Sequence, residues 1–321
     1  MQVFHCPSCN LPLYFDNDRC TCGQNVAFDP EAQVMIATEL LCINHAEIAC
    51  NWLPETDGFC RSCAMTETVP DLRSPDNLPL WARTEAAKRW MLANLGRWGW
   101  FGDGDPGARP TFRLLSEETA TGETRVTMGH ANGIITINVT EAHAPIRAER
   151  QEQLGELYRT MLGHMRHEIA HFLFVRLSHD ATFAGAFRRL FGDERTDYAE
   201  ALERHYAAPA VAGGSYVTAY ATAHPHEDWA ETMAHLLHLI DIADSAAATG
   251  LTLPDGPPPG YDAYADADTA KVLNNAVALS LAITHVNRAL ELPDLYPFVL
   301  SSDVREKMAF VHDNLRRTKT G

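Results

Sequence analysis

All eight cysteines of this 321-residue chain lie within its first 63 residues. Cys6 with Cys9, and Cys60 with Cys63, have the C-x-x-C spacing by which a tight turn directs two thiolates to one zinc ion. The remaining thiols are those of Cys20, Cys22, Cys42 and Cys50. So short a segment, punctuated by glycine and proline, buries little apolar surface and depends on metal for its stability. The sequence therefore predicts a zinc-ribbon module over residues 1–68.

Eight thiols match two tetrathiolate zinc sites. Sequential pairing assigns Cys6, Cys9, Cys20 and Cys22 to one zinc ion and Cys42, Cys50, Cys60 and Cys63 to the other, while interleaved pairing stays open. Closed four-ligand sites of this kind are structural. The first residues, MQVFHCPSCN, lack the pattern of an export signal. We therefore expect a cytoplasmic protein, with metal-bound thiolates in place of disulfides.

The charge balance limits the classes of partner. The formal net charge is -16, and residues 1–70 carry two arginines against nine acidic residues, a net charge of -7. Binding of a phosphate backbone requires clustered Lys and Arg, so nucleic acid is disfavoured as a partner. No stretch approaches the roughly 20 apolar residues of a membrane helix, so no membrane partner is expected. The module is predicted to dock a protein partner or substrate.

The rest of the chain predicts a second domain of α+β class over residues 80–321. Residues 69–79, with three prolines, are interpreted as a linker, and 80–97 as an amphipathic helix. The apolar, β-branched run 133–139 predicts a strand, which either lies inside a sheet or pairs with an extended substrate backbone. Further helices are predicted at 141–177, 194–208, 226–247, 268–291 and 302–316.

An HExxH motif lies in the helix predicted for residues 141–177. His167 and His171 are four residues apart, so both imidazoles emerge on one helical face and can bind a single zinc ion. Glu168 lies beside them, where it can accept a proton from water activated by the metal. The alternative is a helix with fortuitous surface histidines, but the apolar run at residues 172–175 argues against an exposed helix.

A catalytic zinc normally has three protein ligands and one open position. Glu227 and Glu231 are four residues apart in a predicted helix, so either carboxylate can bind zinc while the other braces a ligand histidine. Asp228 competes less well, because the residue four positions later is a threonine. His235 and His238 on the same helix, like His164 before the motif, are interpreted as partly buried hydrogen-bonding histidines.

Segments spread over nearly the whole chain resemble the bacterial family of zinc metallopeptidases that carry a zinc ribbon. The matching segments are CPSC, CNWLP, MGHANGIITINVTEA, ELYRTMLGHMRHEIAH, FGDERTDYAEALERHY, AYATAHPHEDWAETMAHLLH and LPDLYPFVLS. The chain departs from the family at Cys20 and Cys22, where the family usually has C-x-x-C. The resemblance implies a zincin-like fold, with a mixed sheet above the HExxH helix and a mostly helical C-terminal subdomain.

The resemblance also implies roles for individual residues. Gluzincins are similar in placing the ligand glutamate first in an E-x-x-x-[D/E] pair. This implies that Glu227 is the third ligand and that Glu231 braces a ligand histidine, while the reverse assignment stays open. Lethal-factor-type gluzincin domains have a tyrosine seven residues before the ligand glutamate that helps stabilise the oxyanion. The corresponding residue here is Tyr220, for which a packed aromatic ring is the alternative interpretation.

The sequence-based prediction is thus a zinc-dependent endopeptidase that acts on a protein or peptide substrate. One catalytic zinc ion polarises the peptide carbonyl and activates water, Glu168 carries the proton, and two further zinc ions are structural. The competing prediction is a catalytically silent protein-binding module on a peptidase scaffold. A zinc-ribbon protein that binds nucleic acid is disfavoured by the negative charge of residues 1–70.

Overall fold

A computed structural model of the protein describes residues 1–154, 160–208, 213–254 and 256–316. The chain divides into two compact units: an N-terminal unit of residues 2–172, and a C-terminal unit of Met1 with residues 173–321. The described residues mix short strands with helices, so the predicted combination of α and β structure is confirmed in this coarse form. The predicted domain boundary between residues 68 and 80 stays a prediction.

The cysteine-bearing segment of the N-terminal unit consists of short elements. In chain order they are β1 (Phe4–His5), β2 (Pro12–Leu13), β3 (Val26–Asp29), β4 (Val34–Ala37), α1 (His45–Ile48), α2 (Arg61–Ala64) and β5 (Thr66–Thr68). Strands β1 and β2 pair antiparallel, as do β3 and β4. The buried rings of Phe28 and Trp52 lie 5.4 Å apart in this segment. Its small elements agree with a dependence on metal for stability.

A mixed four-stranded sheet forms the second part of this unit. The remaining strands are β6 (Thr111–Leu115), β7 (Glu118–Thr119), β8 (Gly122–Glu123), β9 (Gly129–Ala131) and β10 (Ile134–Asn138). The sheet has the order β5–β6–β10–β9, and only the β9–β10 pair is antiparallel. Strand β10 confirms the strand predicted at 133–139. It is paired on both sides, so it lies inside the sheet and the suggestion that it pairs with a substrate is wrong; β9 and β5 are the two edge strands.

The turn between β9 and β10 explains why an additional edge strand forms. Asn132 and Gly133 have φ angles of 51° and 79°, and they alone separate Ala131 from its cross-strand partner Ile134. A two-residue hairpin with positive φ at both positions is a type I′ turn, for which Asn-Gly is the preferred sequence. This dipeptide is the signal from which β9 was predictable.

Gly133→Ala is expected to lower the free energy of unfolding by about 1–2 kcal/mol, because a Cβ atom is strained at this φ. An added Cβ would meet only the Phe172 side chain, at 3.9 Å, so strain and not a clash is the cause. Urea unfolding of the full chain measures the change. Gly104→Ala is the matched control, because its φ is not in the left-handed region and its Cβ meets nothing within 4 Å. Equal stability of the two variants would contradict the turn assignment.

The helices of the N-terminal unit are α3 (Asn77–Gly96), α4 (Ala144–Leu154) and the first part of α5 (Met161–Ser178), with a short 3-10 helix at Val139–Ala142. Helix α3 confirms the helix predicted at 80–97 but begins three residues earlier, within the predicted linker. Pro79 falls in its first turn, where proline removes no intrahelical hydrogen bond. Residues 155–159 of the helix predicted at 141–177 lie outside the described residues.

Helices also build the C-terminal unit. They are α6 (Ala181–Phe191), α7 (Tyr198–Ala207), α8 (Pro225–Ala248), α9 (Thr269–Ala289) and α10 (Ser302–Arg316), with a 3-10 turn at Tyr220–Thr222. The last four helices confirm the predictions at 194–208, 226–247, 268–291 and 302–316. Helix α6 was not predicted. Its Phe183, Phe187 and Phe191 pack around the fully buried Trp229 of α8, with ring centroids 5.5–6.1 Å apart.

The start of α8 places its acidic residues. His224 is the N-cap and accepts a hydrogen bond from the backbone N–H of His226, and Pro225 occupies the first helical position, where its fixed φ suits a helix. Glu227 and Asp228 therefore lie in the first turn, where the helix dipole favours negative charge. Among the described residues, no helix is both long and apolar enough to span a lipid bilayer.

Candidate metal centres

The first thiol cluster consists of Cys6, Cys9, Cys20 and Cys22, whose sulfur atoms lie within 4.8 Å of one another. The Cys6 and Cys22 sulfurs are 3.8 Å apart, and those of Cys9 and Cys20 are 3.5 Å apart. A tetrahedron with zinc–sulfur bonds of about 2.3 Å has edges of about 3.8 Å, so the donors fit a zinc ion. The backbone N–H of Cys22 lowers the pKa of Cys20 to about 7, which favours the thiolate that zinc binds.

The second thiol cluster consists of Cys42, Cys50, Cys60 and Cys63, again within 4.8 Å and all buried. The Cys50 sulfur lies 3.5 Å from that of Cys60 and 3.7 Å from that of Cys63, close to the same tetrahedral edge. Hydrogen bonds with the other thiols, first that of Cys50, lower the pKa of Cys42 well below its ordinary value. Both clusters follow the sequential pairing, and the C-x-C pair takes part in the first.

The two motif histidines face each other on α5. His167 Nε2 and His171 Nε2 are 3.1 Å apart, near the edge of about 3.3 Å that zinc–nitrogen bonds of about 2.0–2.1 Å imply for a tetrahedron. Together with Glu227 they form a third group in which one ligand atom of each residue lies within 4.8 Å of the others. Two imidazoles and one carboxylate are the donor set of many catalytic zinc sites, so these residues fit the metal.

Glu168 is positioned by the same helix. Its side chain is 7% exposed, and its Oε2 atom is buried without a hydrogen-bond partner among the described residues. A buried carboxylate oxygen of this kind normally has a partner, so it requires an explanation such as an ion, a water molecule or a catalytic role. Glu168 is not a member of the third ligand group, which leaves its carboxylate available for proton transfer.

Glu227 is 1% exposed and accepts a hydrogen bond at Oε1 from the hydroxyl of Tyr198, with a distance of 2.6 Å. Tyr198 is the first residue of α7 and was not identified from the sequence. The contact joins residues 29 positions apart, so helical spacing contains no signal for it.

The other predicted site residues of α8 and its preceding loop lie in the same unit. Glu231 Oε2 accepts a hydrogen bond of 2.7 Å from the hydroxyl of Thr218. Tyr220 begins the 3-10 turn, and its ring makes an edge contact with His205 at 5.8 Å. The roles assigned to Glu231 and Tyr220 stay predictions.

The alternative ligands considered from the sequence lie outside the three ligand groups. His235 is buried with Nδ1 2.9 Å from the Tyr296 hydroxyl, and His238 is 5% exposed. Both therefore agree with the interpretation as buried helix histidines. His164 Nε2 lies 3.3 Å from a Glu141 carboxylate oxygen.

Asp228 forms a buried ion pair with the Lys307 ammonium of α10, at 2.5 Å. Burial raises the pKa of Asp228 to about 6, even though the positive charge of Lys307 acts to lower it. A carboxylate held by a lysine in this way is committed to packing α8 against α10. This contact explains why Asp228, which is adjacent to Glu227 in sequence, does not join the ligand group.

His130, on the edge strand β9, is a further residue that sequence reasoning missed. Its ring lies 5.8 Å from that of Phe172, the residue after His171, so β9 packs beside the motif helix. Burial, followed by the charge of His171, lowers the pKa of His130 to about 4, so its imidazole is neutral at physiological pH. Its Nε2 atom is buried and has no hydrogen-bond partner within the described ranges.

Comparisons with known proteins identify the family of the chain. Residues 77–314 match the model of a family described as "Putative zinc-binding metallo-peptidase", and residues 3–41 match a zinc-ribbon domain. Uncharacterized proteins of Mycobacterium tuberculosis and Mycobacterium bovis are 39% identical to the chain, over 97% of its length and 94% of theirs. No solved structure matches the chain. The family resemblance inferred from the sequence is thereby confirmed.

Proposed function

The chain belongs to a family of zinc-binding metallopeptidases that carry a zinc ribbon, and from this premise we propose that it is a zinc-dependent endopeptidase of the gluzincin type. The observation that carries the proposal is the grouping of His167, His171 and Glu227, with Glu168 on the same helix as the histidines. A zincin-like fold of the catalytic domain is part of the proposal.

The proposed site divides the work between metal and protein. A zinc ion held by His167, His171 and Glu227 would polarise the peptide carbonyl as a Lewis acid and lower the pKa of water. Glu168 accepts the proton of the attacking water and transfers it to the leaving amine. The buried Glu168 Oε2, which has no partner in the described part of the chain, supports this role.

The substrate is proposed to be an extended peptide. Strand β9 is an edge strand and packs beside the motif helix through His130 and Phe172, so its backbone is placed to pair with a peptide by β-augmentation. Tyr220 is retained as the proposed donor to the oxyanion. His130, neutral and with Nε2 unpartnered among described residues, is a second candidate for that hydrogen bond.

The two thiol clusters are proposed to hold structural zinc ions, because four thiolates leave no open coordination position. The module that they stabilise would dock a protein partner or the substrate. Two tetrathiolate sites add negative charge to a segment that is already acidic. This argues for partners with basic segments and against nucleic acid.

Metal analysis combined with a cleavage assay tests the proposal. We expect three zinc ions per chain and cleavage of casein that stops when a chelator removes the most weakly held ion. Readdition of zinc should restore cleavage, because the thiol clusters keep the module folded. A protein that holds three zinc ions and cleaves neither casein nor a peptide library would be a binding protein. That result would overturn the proposal.

A further inference from the structure

The hydrogen bond between Tyr198 and Glu227 assigns a role to a tyrosine outside the HExxH motif. We infer that Tyr198 is a positioning residue that fixes the carboxylate of Glu227 for zinc, an inference that rests on the proposed function. The Tyr198 hydroxyl donates to Glu227 Oε1 over 2.6 Å. O–H···O⁻ bonds to an ionised carboxylate are typically about 2.5–2.7 Å long and about twice as strong as neutral ones.

The position of Tyr198 is fixed by a helix cap and by a contact of its ring. Asp197 caps α7 by accepting a hydrogen bond from the backbone N–H of Glu200, which fixes Tyr198 at the first helical position. The Tyr198 ring makes an edge contact with His224 at 5.2 Å. His224 in turn caps α8, the helix that bears Glu227. One histidine thus contacts the tyrosine and caps the helix of the ligand.

A second contact connects the segment before α7 to the start of α8. His224 Nε2 lies 3.1 Å from the Thr196 hydroxyl and 3.2 Å from the Thr196 carbonyl oxygen. The imidazole therefore connects the residues just before α7 to the start of α8. The distance between the tyrosine hydroxyl and the glutamate carboxylate is set by this connection and not by a flexible side chain alone.

The hydrogen bond has a defined consequence for the metal. Donation to one oxygen fixes the plane of the carboxylate and favours a bond from the other oxygen alone. Partners of this kind orient ligands, and their loss typically costs about 10- to 100-fold in metal affinity or activity.

The second acid of the pair has its own hydroxyl donor. Glu231 is held by Thr218, whereas Glu227 is held by Tyr198. The two carboxylates are therefore fixed separately, although they are one helical turn apart. Removal of the tyrosine hydroxyl should therefore act on Glu227 and leave the contact of Glu231 with Thr218 unchanged.

Tyr198→Phe in the full, zinc-loaded chain tests the inference. We expect the affinity for the third zinc ion, measured by competition with a chromophoric chelator, to fall about 10- to 100-fold. The two thiol-bound ions should not be affected. The melting temperature of the protein without the third ion should also match that of the wild type, because Tyr198 is 42% exposed and keeps its ring. At saturating zinc the cleavage rate should return to near that of the wild type. Tyr206→Phe, an exposed tyrosine on the same helix, is the matched control.

Other outcomes would overturn the inference. A variant with wild-type zinc affinity and a reduced rate at saturating zinc would make Tyr198 a catalytic residue. A lower melting temperature with weaker binding of all three zinc ions would make its role structural. The affinity measurement does not depend on cleavage. If the wild-type protein binds the third zinc ion but cleaves nothing, the proposed function is contradicted. The zinc affinities of the wild type and Tyr198→Phe can still be compared, and they still decide the role of Tyr198.

Discussion

Glu168→Gln is expected to lower kcat for peptide cleavage by about 10²- to 10⁴-fold, the usual contribution of a general base. Glutamine has nearly the same shape but cannot accept the proton of the attacking water. The third zinc ion should stay bound, because the ligand group consists of His167, His171 and Glu227 and does not include Glu168. Steady-state cleavage of a peptide substrate and metal analysis of the same preparation measure both effects.

Two further variants make the Glu168 result interpretable. Glu203→Gln changes an exposed acid on α7 and should leave both kcat and zinc content at wild-type values. His171→Ala should remove the third zinc ion and with it all cleavage. Loss of zinc from Glu168→Gln itself would count against a proton-transfer role, and near-normal cleavage by that variant would exclude it.

Elements whose pattern is local were predictable from the sequence. The helices α8, α9 and α10 were predicted because their apolar residues recur with helical spacing. The thiol clusters were predicted because closely spaced pairs of cysteines indicate zinc binding. Helix α6 was missed although Phe183, Phe187 and Phe191 have the same i, i+4, i+8 spacing after the cap Asp180. That spacing is a sufficient local signal for the helix.

Charged residues in α3 show where a local pattern misleads. The helix was predicted to be amphipathic, and the charges of such a helix normally face the solvent, yet Glu85, Lys88 and Arg89 are buried. Lys88 pairs with Glu85, and both hydrogen-bond to Thr66 on strand β5. From sequence alone, a charged helix residue is expected to face the solvent unless a buried partner can be identified. Here the partner is Thr66, which is 19–22 residues away in the sequence and lies on another element.

In the candidate catalytic site, too, the residues in local patterns were predictable and the tertiary contacts were not. HExxH and the i, i+4 acid pair are helical patterns, so their ligands were identified from spacing. The contacts of Tyr198 with Glu227 and of His130 with the motif helix arise from tertiary packing. The assignment of Glu227 over Glu231 likewise depended on family resemblance, because both acids share one helical face.

Cys60→Ser is expected to have the largest effect on stability, because it removes a ligand of the buried thiol cluster. Apparent binding free energies of structural zinc are about 10–16 kcal/mol, as large as the whole stability of a typical domain, about 5–15 kcal/mol. The variant should therefore contain one zinc ion fewer and lose the fold of the cysteine-bearing segment. Metal analysis and circular dichroism with thermal unfolding measure these losses.

The Cys60→Ser substitution removes the metal ligand but keeps the second role of Cys60, which is to cap a helix. Cys60 is the N-cap of α2 and accepts a hydrogen bond from the backbone N–H of Cys63, and serine is among the best N-cap residues. Destabilisation by Cys60→Ser thus reports on the thiolate and not on the cap.

Cys9→Ser is the comparison, because Cys9 is an exposed ligand of the first cluster. It should also remove one zinc ion, but the lost structure should be confined to the β1–β2 hairpin, since the Cys9 thiol is exposed. If Cys60→Ser keeps its full zinc content and melting temperature, the buried cluster is not a zinc site.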